Sequence, residues 1–236
     1  MSGHSHFATI KRQKGLKDAA KGNIFGKLSK MISIAIKAGG SPNPDMNFKL
    51  RVAIDKARQS NMPKDNIDRI LKSASEKANS IEEITYEGFG PYGISVIVET
   101  ATDNKNRTAQ EIKSLFEKGG GAMGGPNSVL HNFESKGFLL IEKQNDVDSQ
   151  SLSLIDLGVE DFEITNDGIE CYMDVNKLKE ISEKVSVSGM NVTQMEMTMI
   201  PNNTVVLESS DKQEKIEKFI ESFENHDDVQ KVYCNI

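Results

Sequence analysis

The sequence predicts an α+β protein of several packed units: an N-terminal three-helix domain followed by two ferredoxin-like α/β domains, one inserted in the other. Three observations carry this prediction. The apolar residues recur with helical spacing through the first 75 or so positions, and beyond residue 80 they change to β-branched runs alternating with amphipathic stretches. The outer pieces of that second part spell β-α-β … β-α-β, the two halves of a split βαβ sandwich. The stretch between those halves spells the same unit again without interruption. The expected boundaries are 1–78 for the basic helical domain, 79–135 with 202–236 for a discontinuous α/β domain, and 136–201 for the inserted one. Element order alone is also compatible with a simple tandem arrangement.

Residues 18–38 read as an amphipathic helix with Ile24, Phe25, Leu28, Met31, Ile32, Ala35 and Ile36 on one stripe. Gly39-Gly40-Ser41-Pro42-Asn43-Pro44 ends it. A second helix buries Leu50, Ala53, Ile54 and Ala57. Asn61-Met62-Pro63 makes a short junction, and Pro63 suits the first turn of a third helix carrying Ile67, Ile70, Leu71 and Ala74 inward. In the outer α/β domain the expected elements are a strand at Ile94–Glu99, a helix from Asn106 to Lys118, and a strand at Ser128–Phe133. After the insertion come a strand at Thr204–Glu208, a helix over 211–224 and a strand at Val229–Tyr233. The inserted domain reads as strand Phe138–Ile141, helix Ser149–Leu157, a hairpin of Asp161–Thr165 and Ile169–Met173 turning at Asn166-Asp167-Gly168, helix 174–186 and strand Val192–Ile200.

Charge is divided as sharply as periodicity. Residues 1–75 hold fifteen Lys and Arg against five acids, a net of +10 inside a chain of net −6, so the remainder carries −16. A localised positive field attracts a polyanion, while an acidic body stays soluble and limits what adheres to it. Nucleic acid is the expected partner. Hydrophobic residues make up 37% of the chain, and no run approaches the roughly 20 apolar residues that span a bilayer. No membrane partner, secretory signal or small-molecule substrate is expected, and a reducing cytoplasm fits two isolated cysteines, Cys171 and Cys234.

Several motifs carry no chemistry on inspection. Gly88-Phe89-Gly90-Pro91-Tyr92-Gly93 matches G-x-G-x-x-G, but its glycines precede a strand instead of opening a helix, and Pro91 removes an amide donor. It reads as a structural turn. Asp103-Asn104-Lys105-Asn106-Arg107-Thr108 lacks the glycine of a calcium loop and has Lys105 at a ligand position, so Asn106 or Thr108 is expected to cap the following helix. Ser2-Gly3-His4 has the pattern of incidental Cu(II) or Ni(II) binding. No Ser/His/Asp set or Cys/His pair stands out. The expectation is a non-enzyme with no catalytic residue, no metal and no cofactor. A helix-turn-helix reader fits poorly as well, because the third helix mixes Lys64, Arg69 and Lys72 with Asp65 and Asp68. Lysine-dominated surfaces hold phosphates, whereas base reading favours Arg, Asn or Gln on the inserted element. Phe7, Phe25 and Phe48 are the only aromatics of the helical domain, a weak stacking platform. Backbone recognition of folded RNA fits best.

Gly3-His4-Ser5 with Ile10-Lys11, Asn61-Met62-Pro63-Lys64-Asp65-Asn66-Ile67, Tyr86-Glu87-Gly88-Phe89-Gly90-Pro91, Thr102-Asp103-Asn104-Lys105-Asn106-Arg107-Thr108, Thr198-Met199-Ile200-Pro201 and Asp227-Asp228-Val229-Gln230 together resemble the YebC family, essentially end to end. The resemblance implies a helical N-terminal domain plus two α/β domains. It also implies regulation of gene expression. Members of the family are described as probable DNA-binding transcriptional regulators, and others act in translation, on ribosomes where peptide bonds form slowly. A mitochondrial relative is the translational activator of a cytochrome oxidase subunit. The chain departs from the family pattern at His6-Phe7, where Lys-Trp is common, at Phe89 and Tyr92, where Tyr and a small residue are typical, and in the detail of Gly119–Asn127.

The expected nucleic-acid contacts are Lys11, Arg12, Lys14, Lys17, Lys21, Lys27, Lys30, Lys49 and Arg51. The expected partner-facing loops are Asn61, Met62, Pro63 and Lys64, together with Asn104 and Arg107. The ligand is expected to be rRNA or tRNA on the ribosome, with DNA as the alternative.

Overall fold

The computed structural model describes residues 18–77, 81–207 and 209–236. Three helices open the described chain: α1 (Asp18–Gly39), α2 (Phe48–Gln59) and α3 (Lys64–Lys77). Their apolar stripes meet in one core of Leu28, Ile32, Ala35, Ile36, Leu50, Ala53, Ile54, Ala57, Met62 and Ile67. Two polar residues set the turns between them. Asn47 is buried, accepts from the Leu50 amide at 3.1 Å to cap α2, and donates to the Ala35 and Ser41 carbonyls at 2.8 and 2.9 Å. Asn61 adopts φ 58, the left-handed turn that ends α2, and the next amide, Met62, donates back to Ala57.

A four-stranded antiparallel sheet follows, built from β1 (Glu82–Phe89), β2 (Ser95–Thr102), β3 (Ala122–Met123) and β8 (Val229–Cys234). Their spatial order is β3-β1-β2-β8. Helix α4 (Lys105–Lys118) links β2 to β3, and α7 (Ser210–Glu224) leads into β8. Phe116 of α4 packs against Phe219 and Phe223 of α7, with ring centroids 5.9 and 4.7 Å apart. Seven of the eight residues of β2 are buried, as a central strand with cover on both faces requires.

The second sheet comprises β4 (Phe133–Ile141), β5 (Asp161–Ile164), β6 (Ile169–Met173) and β7 (Val192–Pro201). Its order is β5-β6-β4-β7, the ferredoxin-like arrangement. Helices α5 (Val147–Asp156) and α6 (Leu178–Val187) pack on it around Leu139, Ile141, Leu154, Ile169, Cys171, Met173, Ile181 and Val185. The chain thus divides into two compact units. One is Asn132–Val205 with Asn235–Ile236, and the other holds the three helices and the first sheet together with Val206–Cys234. The second α/β module lies within the chain of the first.

The first sheet differs from expectation in where its strands originate. Ser128–Phe133 is not a strand: Leu130–Asn132 forms a 3-10 turn, and Phe133 begins β4 of the other unit. The short β3 takes its place. Residues 204–207 are not a strand either, and Glu208 lies outside the described residues. Val206 is 81% exposed, and although the Val205 amide donates to the Asn235 carbonyl just past β8 at 2.7 Å, the run does not extend into a ladder of the sheet. The fourth strand is instead β1, ahead of β2, in an antiparallel hairpin registered from Glu82↔Thr102 to Phe89↔Ser95. Charged Glu82, Glu83 and Glu87 and the Gly88–Gly90 stretch mask its alternation in the sequence.

Candidate nucleic-acid interface

The basic residues of the helices divide into two groups by what they touch. Lys27, Lys30 and Lys37 of α1 bond to the first sheet's module. Lys27 Nζ donates to the Glu224 carbonyl at the C-terminus of α7 at 2.5 Å, where the helix dipole favours a cation. One turn on, Lys30 Nζ pairs with the Asp228 carboxylate and donates to the Asp227 carbonyl at 3.2 Å. Lys37 donates to the Ile81 carbonyl at 3.0 Å. These lysines fasten the helical segment to the sheet module of the same unit.

Asp228 is the focus of that attachment. Only 3% of its side chain is exposed, and besides Lys30 it accepts from Arg107 Nη2 at 3.0 Å and the Thr108 hydroxyl at 2.6 Å. Burial alone would raise its pKa, but the hydrogen bonds from Lys30, Thr108 and Arg107 outweigh burial and hold the carboxyl well below the usual carboxylate range. Asn104, not Asn106 or Thr108, caps α4, its side chain accepting from the Arg107 amide at 3.1 Å. The local fold therefore presents Arg107 and Thr108 in the first turn of α4, where two sequence motifs about 120 residues apart converge on one carboxylate.

Glu111, His226 and Asp228 lie close enough to suggest a cation site. Their hydrogen bonds argue against one. His226 Nδ1 accepts from the Asp228 amide at 3.1 Å, which places the proton on Nε2, 3.0 Å from Glu111. Lys30 and Arg107 already supply the positive charge at Asp228.

The second group faces outward. Lys49, Arg51 and Arg58 of α2 and Lys64 and Arg69 of α3 are exposed. Arg51 is steadied by donating to the Pro44 and Asp45 carbonyls at 3.3 and 3.2 Å, and Arg69 by Asn66 at 3.0 Å. Asn61 and Pro63 are exposed beside them. Met62, expected to face a partner, is a correction: it is 5% exposed and belongs to the helical core, because the turn at Asn61 points it inward. Arg107 is half-exposed but held by Asp103 and Asp228. Lys11, Arg12, Lys14 and Lys17 lie outside the described residues, as does the side chain of Lys21.

Among the buried acids that sequence reading missed are Asp228 and Glu87. Glu87 of β1 accepts from the backbone amides of Asn127, Val129 and Leu130 at 2.7, 2.9 and 2.8 Å. Burial raises its pKa and these amides lower it, with a net fall. The only advance signal for either residue was its place in a motif of the resemblance.

Comparison with known proteins agrees with this architecture. Residues 5–77 match the TACO1/YebC protein N-terminal domain and residues 81–236 the TACO1/YebC second and third domain. The chain belongs to the TACO1/YebC family. A probable transcriptional regulatory protein of Thermoanaerobacter pseudethanolicus is 42% identical over 240 residues, spanning 100% of this chain and 97% of that one. One from Dictyoglomus turgidum is 43% identical, covering 100% of this chain and 95% of the relative. The crystal structure of a conserved hypothetical protein of Aquifex aeolicus superposes with a TM-score of 0.87 at 34% identity, covering 98% of this chain and 96% of that one. Among the described residues no helix is long and apolar enough to cross a membrane.

Proposed function

We propose that this TACO1/YebC family member is a non-enzymatic, nucleic-acid-binding regulator of gene expression that acts on rRNA or tRNA at the ribosome and eases slow peptide-bond formation. The observation that carries the reading is the outward basic face of α2 and α3, within a segment of net +10 attached to an acidic remainder. Such a face suits phosphate contacts, which supply affinity without sequence choice. An acidic body repels further phosphates and keeps contact to one side. The protein would order substrates rather than perform chemistry, and orientation alone can contribute several kcal/mol to a barrier. A contribution of about 1.4 kcal/mol speeds a stalled step roughly tenfold.

The second reading is a DNA-binding transcriptional regulator, favoured by the names of the relatives. Against it, α3 alternates Lys64, Arg69 and Lys72 with Asp65 and Asp68, a poor match to a recognition helix in a major groove. One experiment separates the two: a purified translation system making a reporter with consecutive prolines, with and without the protein, alongside ribosome co-sedimentation. The expected result is co-sedimentation and relief of the stall, both abolished by reversing charge at Lys49, Arg51 and Lys64. Protection of one defined DNA site at physiological salt, with no effect on ribosomes, would replace this reading with the transcriptional one.

A further inference from the structure

The turn between β1 and β2 holds two aromatic side chains out in solvent. Phe89 is 43% exposed and Tyr92 47%. Their exposure is built in. The Gly90 amide donates to the Ile94 carbonyl at 2.8 Å and the Gly93 amide to Gly90 at 3.2 Å, closing a tight loop on Pro91. Gly90 is pressed into the core: a Cβ there would lie 2.6 Å from the Phe219 ring and 2.7 Å from Ile94 Cγ1. Tyr92 takes φ 60 and ψ 19, a left-handed conformation that disfavours a bulky L-residue. An outlier of this kind on an exposed aromatic points to a function for the side chain.

Two lysines complete the feature. Lys212 and Lys215, three apart on α7 and so on one face of it, place their ammonium groups 5.3 and 5.6 Å from the Tyr92 ring centroid. Two like charges beside one ring repel each other, and an anion between them relieves that repulsion. Glu214, the nearest acid between them in sequence, is engaged by Lys218 at 2.6 Å. A flat π-face with paired cations matches a base with its phosphate.

We propose that Tyr92, Lys212 and Lys215 form a platform for an unpaired nucleotide of RNA, the base stacking on Tyr92 and a flanking phosphate lying between the two ammonium groups. Folded RNA supplies such bases in loops and ends, whereas a DNA duplex keeps its bases stacked inside. The platform rests on the RNA reading above and adds a contact outside the helical segment.

The chain contains no tryptophan, so Tyr92→Trp in the full-length protein provides a sole indole emitter at the platform. An oligouridylate of about ten nucleotides should quench it, and a blunt DNA duplex should not. In the otherwise natural chain, Tyr92→Gly removes the ring while suiting the left-handed backbone. It should weaken oligouridylate binding about tenfold and leave duplex binding unchanged, and Lys212→Glu with Lys215→Glu should do the same. Reversing Lys49 and Arg51 should weaken both ligands yet leave the quenching of the Tyr92→Trp protein intact at saturation. Unchanged affinity for both ligands on that reversal would therefore sink the proposed function and spare the platform. Unquenched indole emission at saturating oligouridylate, with the Tyr92→Gly affinity unchanged, overturns the platform and spares the function. An emission response to oligoglutamate but not to RNA also overturns it, assigning the surface to an acidic protein partner.

Discussion

At Asp228 a carboxylate almost wholly withdrawn from water meets a lysine from α1 and an arginine and a threonine from α4, while the backbone amide of the same residue donates to His226 Nδ1. Removing one member of such a set costs more than the set contributes, because the remaining charges have been positioned for it. Asp228→Ala should lower unfolding free energy by about 3 kcal/mol in denaturant titration, with Lys30 and Arg107 left facing an uncharged cavity. The pH dependence follows from a carboxyl held below its usual value of 3.8: its contribution is complete above that pH and fades as pH falls toward the lower folded value. Wild type should therefore lose stability on acidification below about pH 4 more steeply than Asp228→Asn, measured as midpoint shifts in urea between about pH 5 and 2. Equal slopes would mean that the carboxylate is not held as described. Tyr92 belongs to this scale too. Its left-handed backbone disfavours a side chain by about 1 kcal/mol, so Tyr92→Gly should not lower the melting temperature.

Among the elements, the loop after β3 shows how a glycine-rich segment becomes ordered without a core of its own. Three amides of one short stretch, at Asn127, Val129 and Leu130, converge on Glu87, which lies in a different element some forty residues earlier. Each is a charge-assisted bond to a buried carboxylate, the stronger kind of hydrogen bond. Glu87→Gln keeps the shape but gives up the charge. Amide exchange at Asn127, Val129 and Leu130 should then accelerate at least about tenfold while exchange in β2 stays slow; uniform change across both would assign Glu87 a global role instead. Helices α4 and α7 show the opposite strategy, burying Phe116, Phe219 and Phe223 against one another. Phe223→Ala, at a fully buried position, should cost about 3–5 kcal/mol in global stability.

For the whole molecule, the inserted module should stand alone. Its sheet pairs entirely within residues 133–201, and its core is drawn from the same span. A fragment of residues 132–205 should give a cooperative thermal transition and a far-ultraviolet spectrum of mixed helix and strand; a non-cooperative melt would show that it depends on the rest of the chain. The surrounding module is a different case. Its strand β8 is reached only after the insertion, and the central β2 pairs with β1 on one side and β8 on the other. Closing that sheet therefore waits on a contact of high sequence separation, and its folding should be the slower of the two.

The sequence by itself determined the three helices, their inward stripes, the charge division and every element of the inserted module, because each of these is written in local periodicity or composition. Residues Leu28, Ile32, Leu50, Ile54 and Ile67 recur at helical spacing and are buried for that reason alone. Only the tertiary structure decided which strand completes the first sheet, since Val206 and Glu82–Phe89 compete on propensity and the winner is the segment that finds a pairing partner. It also decided what the lysines do. In sequence Lys27, Lys30, Lys49 and Lys64 are equivalent positive charges, but the carbonyl of Glu224 and the carboxylate of Asp228 claim the first two, while the latter two remain on the surface. Those acceptors lie nearly 200 residues away along the chain, and no local pattern encodes a contact at that separation.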